Sequence, residues 1–227
     1  WLWLNGIAMQ RMVEQGQIEP AWRLFRATSQ LALTRGTVGG LPETMDAFPH
    51  PGEVLPRLTG TFLQAWSNAE QLRVWYQCFL GVRPDMLRGR VLLAPRLPAE
   101  VKRVELTMRV GAGSLRAAYD TAQGGRRFLF RLTGQPASLV LDVAPYATRA
   151  FAASAGDALL AEIRSDGLHA RLESAAGAVR ESVVLPLSAE RQREQAALDA
   201  ILDGTRFAQP DGAETHPAMK QVYRREP

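Results

Sequence analysis

The chain has 227 residues, a formal net charge of +4 and a single cysteine, Cys78. That length supports one large domain or two small ones with a real core. One cysteine excludes a disulfide framework and a cysteine-rich metal site. Arginines are interspersed with acids along the chain, so the basic balance reads as solvated surface and not as a nucleic-acid footprint. No apolar run is long enough for a membrane-spanning helix, and no signal peptide is visible. The expectation is a cytoplasmic protein with no cofactor and no nucleic-acid or membrane partner. The chain opens at Trp1 inside what reads as a helix already under way, so it is expected to be a fragment of a longer protein.

In chain order, Trp1, Leu2 and Leu4 lead into Ile7, Ala8, Met12 and Val13, a helical spacing with one apolar face. Gly16 and Gln17 break it. Glu19-Pro20 opens a second helix, since proline suits the first turn, and Ala21, Leu24, Phe25, Thr28, Leu31 and Ala32 continue it. Gly36 is a candidate C-terminal cap. The stretch from Gly36 to about Leu58 or Thr61 is rich in proline and glycine. A loop of roughly two dozen residues in a compact domain is usually functional or disordered. A third helix is expected from Leu58 or Thr61 to Leu80, apolar on more than one side and therefore well buried.

The character changes near Pro84. Leu92 to Pro98 is a proline-studded passage, after which Val104, Leu106, Met108 and Val110 alternate with polar residues. Strand-like runs follow at Leu115–Tyr119, Phe128–Leu132, Ser138–Val143, Ala147–Ala152, Leu159–Ile163, Leu168–Leu172 and Val179–Leu185. Turn signals such as Gly124-Gly125, Gly134, Gly156-Asp157 and Asp166-Gly167 separate them, a rhythm that predicts an antiparallel sandwich. Ala189 to about Leu202 reads as a terminal helix, and the polar tail past Gly204 as extended or disordered. The fold class is α+β: helices over residues 1–90, a β-sandwich over 91–188, and a terminal helix and tail over 189–227.

The candidate chemistry gathers around Glu43. Pro42 fixes the backbone before it, and Gly39 and Gly40 permit close approach to a ligand. Trp3, Trp66 and Trp1 offer flat apolar faces; Asn5, Asp46 and Gln64 offer polar groups. Stacking faces with nearby carboxylates and amides are the materials of a sugar site. The plainer alternative makes Glu43 a solvated loop acid and the tryptophans core. Asp46 is a candidate hydroxyl ligand or structural cap; inverting glycosidases need two carboxyls about 6.5–9.5 Å apart across the scissile bond, which one short loop does not readily provide. His50, His169 and His216 lack metal-ligand spacing. The Gly-Gly-Leu-Pro-Glu stretch lacks the Gly-Lys-Ser/Thr ending of a phosphate loop, and Ser67 lacks a nucleophile-elbow context.

Four motifs occur in order: Trp1-Leu-Trp-Leu-Asn-Gly6, Gly39-Gly-Leu-Pro-Glu43, Gln64-Ala-Trp-Ser67, and Leu80-Gly81 with Pro84-Asp85. Together they resemble the C-terminal part of glycogen-debranching amylo-α-1,6-glucosidases, and Leu93 to Pro98 is similar to the exit from their barrel into a short β-domain. The resemblance covers residues 1–98. It implies that this chain holds the last helices of an (α/α) barrel, that the enzyme inverts, and that Glu43 is the general base, activating a water on the face of the sugar opposite the leaving group. It also implies an α-glucan or oligosaccharide substrate walled by Trp3 and Trp66. The family's general-acid Asp lies upstream, so the missing N-terminal part of the same protein is an expected partner. Thr44-Met45-Asp46 departs from the family pattern and leaves the substrate open. A non-catalytic carbohydrate-binding or scaffolding module is the alternative.

Overall fold

A computed structural model describes residues 1–121 and 125–204. It is a mixed α+β structure; among the described residues there are four α-helices and three β-sheets. Helices α1 (Leu4–Glu14) and α2 (Ile18–Thr34) are joined by a tight turn in which Gly16 has φ +76°. That left-handed conformation is sterically open to glycine. Helix α3 (Ala65–Arg73) runs without a break into a π-helical turn, Val74–Phe79, where the Leu80 N–H reaches the Trp75 carbonyl at 3.0 Å.

The helices close on a small core of Met9, Val13, Ala21, Val74, Cys78 and Phe79. Trp22, Phe25 and Trp75 pack around it, with Trp22 stacked on Phe25 at 5.4 Å and edge-on to Phe79 at 5.5 Å. Such pairs add about 0.5–1.5 kcal/mol each beyond the area they bury. Cys78 is buried and burial pushes its thiol pKa up, so it acts as a small hydrophobe.

Residues 35–64 do not form a structureless loop. Strands β1 (Thr44–Met45) and β2 (Leu58–Thr59) pair antiparallel, and the Thr44 and Thr59 hydroxyls meet at 2.8 Å. The third helix therefore starts at Ala65, not at Leu58 or Thr61, because residues 58 and 59 are committed to this ribbon. Nor is this stretch well buried: Phe62, ahead of the helix, is 56% exposed and Trp66, in its first turn, 53%.

The sheets begin with β3 (Val82–Asp85) and β4 (Arg90–Leu93). Next come β5 (Arg103–Val110), β6 (Gly113–Asp120), β7 (Arg126–Thr133), β8 (Ala137–Leu141), β9 (Arg149–Ala153), β10 (Ala158–Arg164), β11 (Gly167–Glu173) and β12 (Val179–Leu185). Helix α4 (Ala189–Gly204) follows, where a terminal helix is expected. One sheet has the order β12-β11-β10-β7-β6-β5, antiparallel throughout; the other has the order β3-β4-β8-β9. In the second sheet β4 and β8 run parallel, which corrects the expectation of a purely antiparallel sandwich. A parallel pair needs a long crossover, and β5–β7 of the other sheet supply it.

One apolar cluster joins residues of both sheets, with Leu93, Leu139, Leu141 and Phe151 from the smaller and Leu115, Phe130, Leu132 and Leu159 from the larger. Alternation explains the larger sheet's two faces. Tyr119, Phe128 and Leu168 face the core, while Arg103, Asp120, Arg127, Glu162 and His169 form a row of cross-strand neighbours over β5, β6, β7, β10 and β11. Arg103 bonds Asp120 at 3.0 Å and Arg127 bonds Glu162 at 2.7 Å, so this row largely neutralises itself.

Tyr119 ties the helices to the sheets. Its ring lies edge-on to Phe128 and Phe130, and its hydroxyl donates to the Leu80 carbonyl at 2.7 Å. Burial pushes its phenol pKa well up. Tyr119→Phe leaves that buried carbonyl without its donor and is expected to cost about 1–3 kcal/mol, read as a lower urea midpoint at unchanged m-value. No helix among the described residues is long and apolar enough to cross a membrane. The expected Gly124 turn and the tail past Gly204 lie outside the described residues.

Candidate functional site

Glu43 sits where three segments of backbone converge. Its N–H donates to the Thr61 carbonyl at 2.8 Å, its carbonyl accepts from the Leu2 N–H at 3.4 Å, and its carboxylate Oε2 accepts from the Thr61 N–H at 3.2 Å. The glycine at 60 is required there. Its φ is +71°, and a Cβ would lie 2.8 Å from Glu43 Oε2. Oε1 takes no hydrogen bond from the described residues.

The Leu41-Pro42-Glu43 segment is fastened to the first turn of α3. The Gln64 N–H donates to the Leu41 carbonyl at 2.8 Å, Asn68 Oδ1 accepts from the Leu41 N–H at 3.0 Å, and the buried Ser67 hydroxyl donates to the Pro42 carbonyl at 3.2 Å. Helix termini leave backbone groups unpaired, and here the loop and helix start satisfy each other. Gly40 is buried against Leu63, whose Cδ1 would be 2.6 Å from an added Cβ. Thus the two motifs at 39–43 and 64–67 form one unit.

The other expected site residues take varied places. Trp3 and Asn5 follow Leu2, whose N–H contacts Glu43, in the chain; both are half-buried, whereas Trp1 is 59% exposed. Gln64 is half-buried and precedes α3; Trp66, one residue into the helix, is exposed. Asp46 lies past the ribbon strand β1, its N–H bonded to the Arg57 carbonyl at 3.0 Å and its carboxylate to His50 Nε2 at 2.8 Å. Asp46 and His50 thus form a pair at the mouth of the excursion, apart from the Glu43–Thr61 clasp. Arg57 in turn grips Glu53 through two guanidinium nitrogens, and this ion pair holds the Glu53 carboxyl below its usual range.

Sequence reasoning gave no role to Thr61, Gly60, Ser67 or Asn68, all of which shape the Glu43 segment. Ser and Asn in the first turn of a helix are a signal for local backbone bonds, and that signal was present. The Thr61 contact spans 18 residues and has no local signature. Two cavities, of about 720 and 780 Å³, lie elsewhere: one on the outer face of the six-stranded sheet, the other between the α1–α2 turn, the sheets and α4. Neither is lined by Glu43, Trp3 or Trp66. No group of three or more His, Cys, Asp and Glu able to hold a metal occurs among the described residues. His169 pairs with Asp166, and His216 lies outside the described residues.

No protein-family model matches the chain, and neither a curated protein nor a solved structure does.

Proposed function

We propose that this chain carries the general-base side of an inverting glycoside hydrolase, cytoplasmic and acting on α-glucan branches in the manner of an amylo-α-1,6-glucosidase, with Glu43 as the base. The observation that supports this most is the clasp at Glu43. One carboxylate oxygen is anchored by the Thr61 N–H while Oε1 takes no bond from the described residues. A base that must deprotonate water needs a fixed carboxylate with one oxygen open to it. The Leu41-Pro42-Glu43 segment is tied by hydrogen bonds to Leu2, beside Trp1 and Trp3 in the chain, and to Gln64 and Ser67, beside Trp66, which supports a shared sugar site.

The general acid and the far wall of the sugar site would come from further helices of the same protein, with α1–α3 as the last of an (α/α) barrel. Exposed apolar side chains on these helices, among them Leu4, Ile7, Leu72 and Trp66, support that packing, because helices bury an apolar stripe against a neighbour. The acid would protonate the glycosidic oxygen as the Glu43-activated water attacks the opposite face.

A second reading, a non-catalytic carbohydrate-binding or scaffolding module, is favoured by the two cavities, which both lie away from Glu43. Proton NMR of the first product from a branched α-dextrin, released by the whole enzyme, separates the readings. Direct water attack from the Glu43 side gives β-glucose first. α-Glucose first would mean retention and would remove the single-displacement role of Glu43. Dextrin binding without hydrolysis would select the module.

A further inference from the structure

The cavity of about 780 Å³ at the junction of helices and sheets has a wall of unusual charge. Arg83, Arg96 and Arg191 all line it. Arg96 Nη1 donates to two carbonyls, those of Pro95 and Asp142, each at 3.0 Å. These are neutral acceptors, so they satisfy the N–H groups without balancing the charge. Burial pulls the Arg96 pKa down; Asp142 opposes this, and the Arg191 and Arg83 guanidiniums reinforce it. Arg83 donates from Nε to the Gln77 carbonyl, again a neutral group.

Arg191 binds Asp142 Oδ1 at 2.5 Å and Thr148 Oγ1 at 3.0 Å, both through Nη2. Its Nη1 is buried with no hydrogen-bond partner among the described residues. Buried guanidinium N–H groups are costly to leave unpaired. The side chain as a whole keeps 27% of its surface accessible and lines the cavity.

Two of these cations, Arg191 and Arg96, therefore share one carboxylate, Asp142, and a fourth arginine, Arg126, also lines the cavity. The other acids at the rim are engaged elsewhere or lie in water. Glu14 accepts from Gln10 and Arg11 and feels the Arg83 charge more weakly, Glu19 Oε1 accepts the Ala99 N–H, and Glu194 is exposed. Arg191 also lies in the first turn of the 16-residue helix α4, where the helix dipole adds positive potential. Leu92, Leu97, Val143 and Pro145 supply an apolar wall for a small organic body.

We propose that this cavity binds an oxyanion, the phosphoryl or carboxylate group of a small ligand, between the Arg191 and Arg96 guanidiniums. The planar fork of arginine matches both anions in a bidentate fashion. The site is separate from Glu43 and does not depend on the glycosidase reading.

Isothermal titration with sodium phosphate, against sodium chloride at matched ionic strength, tests it on the whole chain. Saturable phosphate binding, with a dissociation constant on the order of millimolar or tighter, is expected for the wild type. Arg191→Gln should weaken it by about tenfold or more, the scale of one lost charge-assisted pair. Asp142→Asn removes the competing carboxylate and should bind phosphate at least as tightly as wild type, with circular dichroism confirming that both variants fold. A parallel titration with malonate sorts the ligand class: binding of both anions points to a general oxyanion site, binding of phosphate alone to a phosphoryl site. Heats equal to the chloride control would overturn the proposal. So would undiminished binding by folded Arg191→Gln. Loss of binding in folded Asp142→Asn would reduce Arg191 to the partner of an internal ion pair and would also overturn it.

Discussion

Replacing Gly81 by alanine should destabilise the protein by about 4 kcal/mol or more, at the extreme end of single substitutions. Gly81 links the π-helical turn to β3 with φ +71°, and an added Cβ would stand 2.0 Å from the Ala94 carbonyl oxygen. The left-handed conformation alone costs a non-glycine residue about 1–2 kcal/mol. The rest arises because the neighbouring backbone is not free to retreat. The Ala94 N–H is bonded to the Gly81 carbonyl at 2.8 Å and the Arg96 N–H to the Phe79 carbonyl at 2.9 Å, while Tyr119 holds the Leu80 carbonyl from the other side. Moving Ala94 would break this set. Gly89 is the control: its φ is +60°, yet nothing lies within 4 Å of an added Cβ. Gly89→Ala should show only the conformational part. Urea unfolding of both variants measures the difference; equal losses would mean that the crowding at Gly81 is relieved at little cost.

The same junction shows what local pattern conveys and what it does not. Strands β5, β6, β7, β10 and β11 alternate apolar and polar residues between glycine turns, and that period is visible in sequence because one face is buried and the other wet. Strand β3 was not visible. It is a four-residue edge strand containing Pro84, and proline, lacking an N–H, weakens any strand reading while being tolerated at an edge. Strand β4 merges into the proline-studded passage, and its parallel pairing with β8 joins residues 48 apart, Arg90 with Ser138; no local period encodes that. The ribbon of β1 and β2 is two residues per strand, too short for alternation to register. It displaced the expected start of α3, because Phe62 and Trp66 suggest a buried helix although both are exposed. Around Glu43 the sequence showed the carboxylate, the proline before it and the Gln-Ala-Trp-Ser segment. It did not show that Ser67 and Asn68 clamp the backbone on either side of Pro42, or that Thr61 holds Oε2. Those bonds join positions that only the folded chain makes neighbours.

Glu43→Gln is the second substitution with a large expected effect, this time on rate. Glutamine keeps the size of the side chain and an acceptor oxygen for the Thr61 N–H, so the clasp and its tie to α3 should persist. What it loses is the ability to take a proton from water. General-base contributions are typically about 10²–10⁴-fold, so turnover should fall by at least about 10²-fold with little change in KM, since the loss falls on the transition state and not on ground-state binding. The most direct measurement is hydrolysis of an α-1,6-branched dextrin by the whole enzyme, wild type against Glu43→Gln, with circular dichroism recorded on both. A drop of about 10²-fold or more with the fold intact is the result this account predicts. Turnover within a few-fold of wild type, in a folded variant, would contradict it and leave Glu43 as a residue that fastens the loop.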